Sequence, residues 1–264
     1  MKSSKLSLRK YGQKPFNIAV IHGGPGAPGE MAPVARELSK SYGVLEPLQT
    51  KDSIQGQIKE LYNILKEKAD FPVILIGWSW GAWLSFIFAS KHPLLVKKLI
   101  LVGSGTFEAK YTKDLMKIRL SRLNVKERKE VTSLIDKLNN PNLKNKKVIM
   151  SRFGFLMSKS DSYDPLPHED ETLDVQYDVY KKVWPEADKL RQSGKLLDFG
   201  KKIKCPVVAI QGDYEPHLPE GVKKPLKKVV KDFKFILLKD CGHHPWFERK
   251  AKDIFYKTLK TEIN

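Results

Sequence analysis

The sequence has little cysteine, little arginine, no long apolar run and no internal repeat. Only Cys205 and Cys241 occur among 264 residues, a usage that fits a reducing compartment. They stand at opposite ends of two expected parallel strands. A strand of ~6 residues would hold them ~20 Å apart, far beyond the ~7 Å that a disulfide tolerates between Cα atoms. Two free thiols are expected. The longest apolar stretches, at 71–76 and 99–102, fall well short of the ~20 residues that a membrane-spanning helix needs. The opening Met-Lys-Ser-Ser-Lys-Leu-Ser-Leu-Arg has a basic start without the apolar core of a secretion signal. These absences predict a cytoplasmic protein with no membrane span.

Acidic residues are scarce beside basic ones, 30 against 48, for a net charge of +18. Such a charge raises the question of a nucleic-acid partner. Only 8 of the 48 basic residues are arginine, whereas bidentate reading of phosphates and base edges favours arginine. The 40 lysines are spread along the chain singly or in pairs, the pattern of a solvated surface, so no specific nucleic-acid partner is expected. Apolar residues make up 41%. At this length a chain buries roughly 75% of its unfolded surface, enough for one large domain carrying an insertion.

Strand and helix signals alternate with short loops over 16–104, the mark of a parallel sheet covered by helices. Strands are expected at 17–21, 44–48, 72–76 and 99–102. Helices are expected at 31–40, at 54–68, where Ile54, Ile58, Leu61 and Leu65 have helical spacing, and at 80–90. The alternation stops from 105 to 204. There Asn124 and Glu127 form a capping-box start, with Val131, Leu134, Ile135 and Leu138 on one helix face. A second helix is expected at 173–192, and a loop at 158–171. Strands return at 206–211 and 235–238, followed by a last helix at 245–260. The predicted organisation is one α/β domain from 1–104 and 205–264, interrupted by a helical insertion at 105–204.

Four motifs fall at strand ends. Gly77-Trp78-Ser79-Trp80-Gly81 follows a buried strand and precedes an apolar helix. A serine on such a strand-to-helix turn is exposed at the sheet edge, and the flanking glycines permit the tight packing. Next comes His22-Gly23-Gly24-Pro25-Gly26, after the first strand. A glycine-rich loop presents backbone N–H groups without side chains in the way, and two such donors stabilise a developing oxyanion by roughly 2.7–4 kcal/mol each. Gly24 N–H and Trp80 N–H are assigned as the donors, with His22, Gly23, Pro25 and Gly26 as supporting loop. A phosphate loop would require G-x-G-x-x-G or Gly-Lys-Ser/Thr, and neither is present.

Cys241-Gly242-His243-His244-Pro245-Trp246 supplies a base of near-neutral pKa. His243 follows a permissive glycine and is preferred to His244. His22, His92, His168 and His217 lack comparable placement. Gln211-Gly212-Asp213-Tyr214-Glu215 supplies a carboxylate to orient the imidazole, and position alone leaves Asp213 and Glu215 both open. The six histidines show no paired metal-ligand spacing, so neither metal nor organic cofactor is expected.

These residues resemble the α/β-hydrolase family, and within it the branch bearing His-Gly-Gly-Pro-Gly, best known from proline iminopeptidases. The resemblance covers about 16–104 and 205–260, with a helical cap where the insertion stands. It implies a mostly parallel sheet flanked by helices, and an acid three residues after a glycine, here Glu215. It also implies a base from Gly-His-x-Pro, here His243, and an oxyanion donor after His-Gly, here Gly24. Ser79, His243 and Glu215 would then perform acyl transfer on an ester or amide of a small molecule or short peptide. Departures are a short N-terminus with the leading antiparallel strands reduced, Glu in place of the commoner Asp, and no recognisable amine-binding motif at Glu169-Asp170-Glu171 or Trp184-Pro185-Glu186. Phe153, Phe155, Leu156, Met157, Trp78, Trp83 and Tyr180 are candidates for an apolar acyl pocket. An aminopeptidase is the alternative enzyme. A non-catalytic ligand-binding protein on the same scaffold is the alternative of another class.

Overall fold

The computed structural model describes residues 7–264. Seven strands form one sheet: β1 (Leu8–Tyr11), β2 (Ile18–Ile21), β3 (Val44–Pro47), β4 (Val73–Trp78), β5 (Val96–Val102), β6 (Val207–Gly212) and β7 (Phe233–Leu238), in the order β1-β3-β2-β4-β5-β6-β7. Every pair is parallel except β1 with β3. β1 is thus the one antiparallel strand of the sheet among the described residues.

Alternation along each strand explains the layering, because successive side chains point to opposite faces. Ala19, Ile21, Leu75, Leu99, Leu101 and Ala209 share one core with α2 (Ile54–Lys68), α3 (Trp80–Lys91) and α9 (Glu220–Val229). Ile18, Val20, Ile74, Ile76, Ile100 and Val208 face the other core, with α1 (Ala32–Leu38) and α10 (Lys252–Ile263). A strand covered on both sides has no polar face. β4 is accordingly buried at all six positions, as its unbroken apolar run predicts. α3 is buried along nearly its whole length, which fits its lack of any polar stripe.

Between β5 and β6 run α4 (Leu115–Ser121), α5 (Val125–Asn139), α6 (Lys147–Asp161), α7 (Tyr177–Gln192) and α8 (Lys195–Asp198). The Asn124 capping box forms with both reciprocal bonds. Helices α4 to α6 build a small core of their own from Leu123, Val131, Leu134, Leu156 and Met157. By contrast, α7 lays Val179, Val183 and Ala187 on the main core, and Trp184 stacks on Trp83 with ring centroids 5.9 Å apart.

Two local expectations are corrected, and one helix had no counterpart among them. Helix α6 runs to Asp161, into the stretch expected as loop from 158, because Leu156, Met157 and Ser160 are buried on one helical face. The final helix starts at Lys252, not near Pro245. Residues 245–247 and 249–251 are turns, closed by bonds from Phe247 N–H to His244 O, Glu248 N–H to Pro245 O and Ala251 N–H to Glu248 O, with Glu248 bridged to Pro165. Helix α9 went unanticipated, since Pro225 inside it reads as a breaker. Both cysteines are free and buried, as spacing predicted, and burial raises the Cys205 thiol to about 11.

Candidate active site

Register decides the site. Trp78 pairs with Val102, Val102 with Ile210, and Gly212 with Leu238. The C-terminal ends of β4, β5, β6 and β7 therefore lie along one rim, where the crevice of an open α/β sheet forms. Ser79 follows β4 directly, Glu215 comes three residues after β6, and His243 five residues after β7.

Ser79 adopts φ 53°, ψ −117°, a conformation that L residues rarely occupy and that stores strain. The surroundings over-determine it. Its N–H donates to Val102 O at 3.0 Å. A Cβ on Gly77 would come within 2.2 Å of Gly81 O, and one on Gly81 within 2.3 Å of Ile21 O. Only glycine allows strand, turn and helix to approach this closely.

Ser79 Oγ lies 3.1 Å from His243 Nε2. On the other side of the ring, His243 Nδ1 is 2.7 Å from Glu215 Oε2. Burial by itself would raise the Glu215 carboxyl, but His243 and His217 outweigh it and hold it well below the usual carboxylate range. An ionised carboxylate only accepts. His243 Nδ1 therefore carries the proton, and Nε2 is left to accept from the serine hydroxyl. The imidazole is fixed through its backbone too. Trp78 Nε1 donates to His243 O at 2.8 Å, and His243 N–H donates to Asp161 O at 2.9 Å.

The remaining candidates are separated by the structure. Asp213 does not reach the imidazole. It accepts from Cys241 N at 3.3 Å and lies 3.6 Å from Lys239 Nζ, a turn role. His244 packs against Trp78 and Trp246 instead of Ser79, and burial drives its pKa far down, leaving it neutral.

At the glycine-rich loop, His22 Nδ1 is 2.7 Å from Gly23 O, while Gln49 N–H donates to His22 Nε2 at 3.3 Å. That bond requires an unprotonated Nε2. Burial lowers the His22 pKa to about 4, so the ring is neutral. A Cβ on Gly23 would come within 2.3 Å of the Trp78 indole. Gly26 is at φ +94° with its carbonyl accepting from Gln176 N at 2.7 Å, and Pro25 is buried between them. Trp80 N–H heads α3, where a helix leaves its first donors without internal acceptors. Neither Gly24 N–H nor Trp80 N–H meets a hydrogen-bond acceptor among the described residues.

Four contributors escaped the sequence reading. His217 Nδ1 sits 2.7 Å from Glu215 Oε1. Gln211 accepts from Ser104 N at 2.9 Å and donates to Ser104 O at 3.0 Å, tying the loop after β5 to the end of β6. Glu248 accepts from Gly242, Tyr163 and Asp164 backbone N–H groups. Arg119 makes a bidentate pair with Asp161 at 2.8 and 2.6 Å. Only the spacing of His217 two residues after Glu215 was visible beforehand. Among the described residues, Glu215, His217 and His243 are the one group of side chains close enough to share a metal ion, and their facing atoms are already occupied by one another.

Leu156 and Met157 lie inside the small helical core, Trp83 in the main core, and Phe155 is 58% exposed. A cavity of about 580 Å³ lies beside Gln176 and is lined by Thr50, Lys146, Asp174, Tyr177 and Lys181.

A strand-turn-helix serine, an imidazole and a carboxylate on the rim of a mostly parallel sheet define the class. The chain belongs to the alpha/beta hydrolase fold family, whose model matches residues 50–250. It is 23% identical to Lipase 1 of Psychrobacter immobilis over 251 residues, covering 88% of this chain and 72% of that protein. Among solved structures it resembles a putative lipase of Acinetobacter baumannii AYE, with TM-score 0.64, 18% identity and coverage of 97% and 88%. It also resembles the enol-lactonase of Burkholderia xenovorans LB400, with TM-score 0.63, 15% identity and coverage of 97% and 95%. No helix among the described residues is long and apolar enough to cross a membrane.

Proposed function

We propose that the protein is a serine hydrolase that cleaves an ester bond of a small to medium substrate through an acyl-enzyme on Ser79. The observation that carries this reading is the unbroken hydrogen-bond chain Ser79 Oγ, His243, Glu215, at 3.1 and 2.7 Å. Ser79 Oγ attacks the acyl carbon while its proton passes to His243 Nε2. Negative charge then develops on the carbonyl oxygen, where the unpaired N–H groups of Gly24 and Trp80 act as donors. The imidazolium is stabilised by ionised Glu215. Collapse of the tetrahedral intermediate breaks the bond to the leaving alkoxide, which takes the proton from Nε2. Water, deprotonated by the same nitrogen, then attacks the acyl carbon, and the second tetrahedral intermediate breaks its bond to Ser79 Oγ, which takes the proton back from Nε2 as the acid leaves.

The relatives named as lipase and lactonase act on esters, and this favours an ester over an amide. The aminopeptidase alternative of the His-Gly-Gly-Pro-Gly branch has less support. Glu171 is engaged by Arg36, Glu186 accepts from Ile54 N at 2.9 Å at the head of α2, and His168, Glu169 and Asp170 face solvent. We assign residues 105–204 as the cap over the rim, and a cytoplasmic setting fits the two unpaired thiols.

A panel of nitrophenyl esters and amino-acid anilides, run beside Ser79→Ala, tests the reading. Ester turnover should fall about a thousandfold or more in the variant, and a fluorophosphonate should label the parent alone. Parent-level turnover in the variant would remove Ser79 from its role. A parent that takes up no label and turns over no ester would favour the non-catalytic ligand-binding alternative.

A further inference from the structure

We infer that His217 is a second histidine on the acid of this site, a positioning residue that holds Glu215 so that His243 is correctly oriented. The inference rests on the serine-hydrolase reading above and adds a residue to it. Glu215 is fully enclosed, and each of its oxygens has one imidazole partner: Oε2 takes His243 Nδ1 and Oε1 takes His217 Nδ1, both at 2.7 Å. The backbone N–H of His217 reaches Oε1 only weakly, at 3.4 Å. A buried carboxylate whose second oxygen lost its partner would carry the full desolvation penalty of that atom, and its plane would be free to rotate about the side chain.

A titratable ring in this position also tunes the site. The groups facing His217 are Glu215 on its own loop, His243 after β7 and Arg119 on α4. Burial lowers the His217 pKa, and Arg119 and His243 add to this, while Glu215 opposes them. The ring is thus a neutral donor that draws charge toward Oε1, leaving less on Oε2 for the imidazolium formed at His243 during the reaction. Without His217, Oε2 would bear more charge but stand in a less fixed place.

His217→Ala and His217→Asn separate these effects from packing, because the Asn amide nitrogen occupies the place of Nδ1 and keeps a donor without titrating. His217→Ala should lower kcat about tenfold with KM nearly unchanged, and move the acid limb of kcat/KM to higher pH by about half a unit. His217→Asn should recover kcat to within about threefold. Proton spectra of histidine-labelled protein should show two low-field Nδ1–H signals, of which His217→Ala removes one and shifts the other. Ala and parent alike in kcat, acid limb and the surviving signal would overturn the inference. So would an Asn variant as impaired as Ala. Fluorophosphonate labelling of the parent keeps the two proposals apart, since an unlabelled Ser79 defeats the catalytic reading, whereas the two low-field signals report on Glu215 without any turnover.

Discussion

The backbone N–H of His243 donates to the carbonyl oxygen of Asp161, the last residue of α6. The helical segment between β5 and β6 therefore holds the residue whose imidazole faces Ser79. The contact is reinforced on both sides: the Asp161 carboxylate is clamped by Arg119, and Glu248 joins Gly242 to Tyr163 and Asp164.

Arg119→Ala leaves the buried Asp161 carboxylate without its partner, and breaking such a pair costs about 3–5 kcal/mol. Urea denaturation should show that loss. Ester kcat should fall as well, because the carbonyl that anchors His243 belongs to the same residue. Unchanged stability would mean that water replaces the guanidinium.

Glu248→Gln is nearly isosteric, yet it turns an amide NH2 toward backbone donors that an ionised carboxylate accepts from. Leaving one of those N–H groups unsatisfied costs about 1–3 kcal/mol. The expected result is a lower urea midpoint, with kcat more affected than KM because His243 follows Gly242 directly. A variant with the parent's midpoint and kcat would show that the three bonds do not hold the loop.

Ser79→Gly and Ser79→Ala should both lose activity but part company in stability. At φ 53° a residue with a Cβ bears strain of about 1–3 kcal/mol, which glycine relieves, less some unfolded-state entropy. Ser79→Gly should be about 1 kcal/mol more stable than Ser79→Ala, read as a higher melting temperature. The opposite order would place the strain elsewhere.

His22 makes stability depend on pH. Its folded pKa of about 4 lies below the unfolded value of about 6.5. Between these values the unfolded chain binds more protons, so stability rises with pH. The contribution, about 3 kcal/mol, is fully present above pH ~6.5 and lost as pH falls toward 4. His22→Asn keeps a donor for Gly23 O and cannot titrate. Its stability should fall less steeply across that window than the parent's, and parallel curves would contradict a buried neutral ring.

Much of the frame was legible because local patterns carry it. The apolar run of β4, the helical spacing of α2, which the sequence placed at its observed bounds, and the Asn124 capping box each depend on residues close together in the chain. The four strand-end motifs were legible for the same reason, since strand, glycine and turn sit side by side.

What the sequence by itself determined is the set of reactive groups and the strand ends that carry them. Position in the sequence left Asp213 and Glu215 open and the family resemblance pointed to Glu215, the one whose carboxylate reaches the ring; the tertiary structure alone revealed the second imidazole from His217 and the hold of Asp161 and Glu248 on the His243 loop. Residue 161 ends α6, 215 and 217 share the loop after β6, and 243 lies in the loop after β7, so no periodicity links the three segments. Only the parallel register of β4, β5, β6 and β7 and the docking of α6 bring them within hydrogen-bond range.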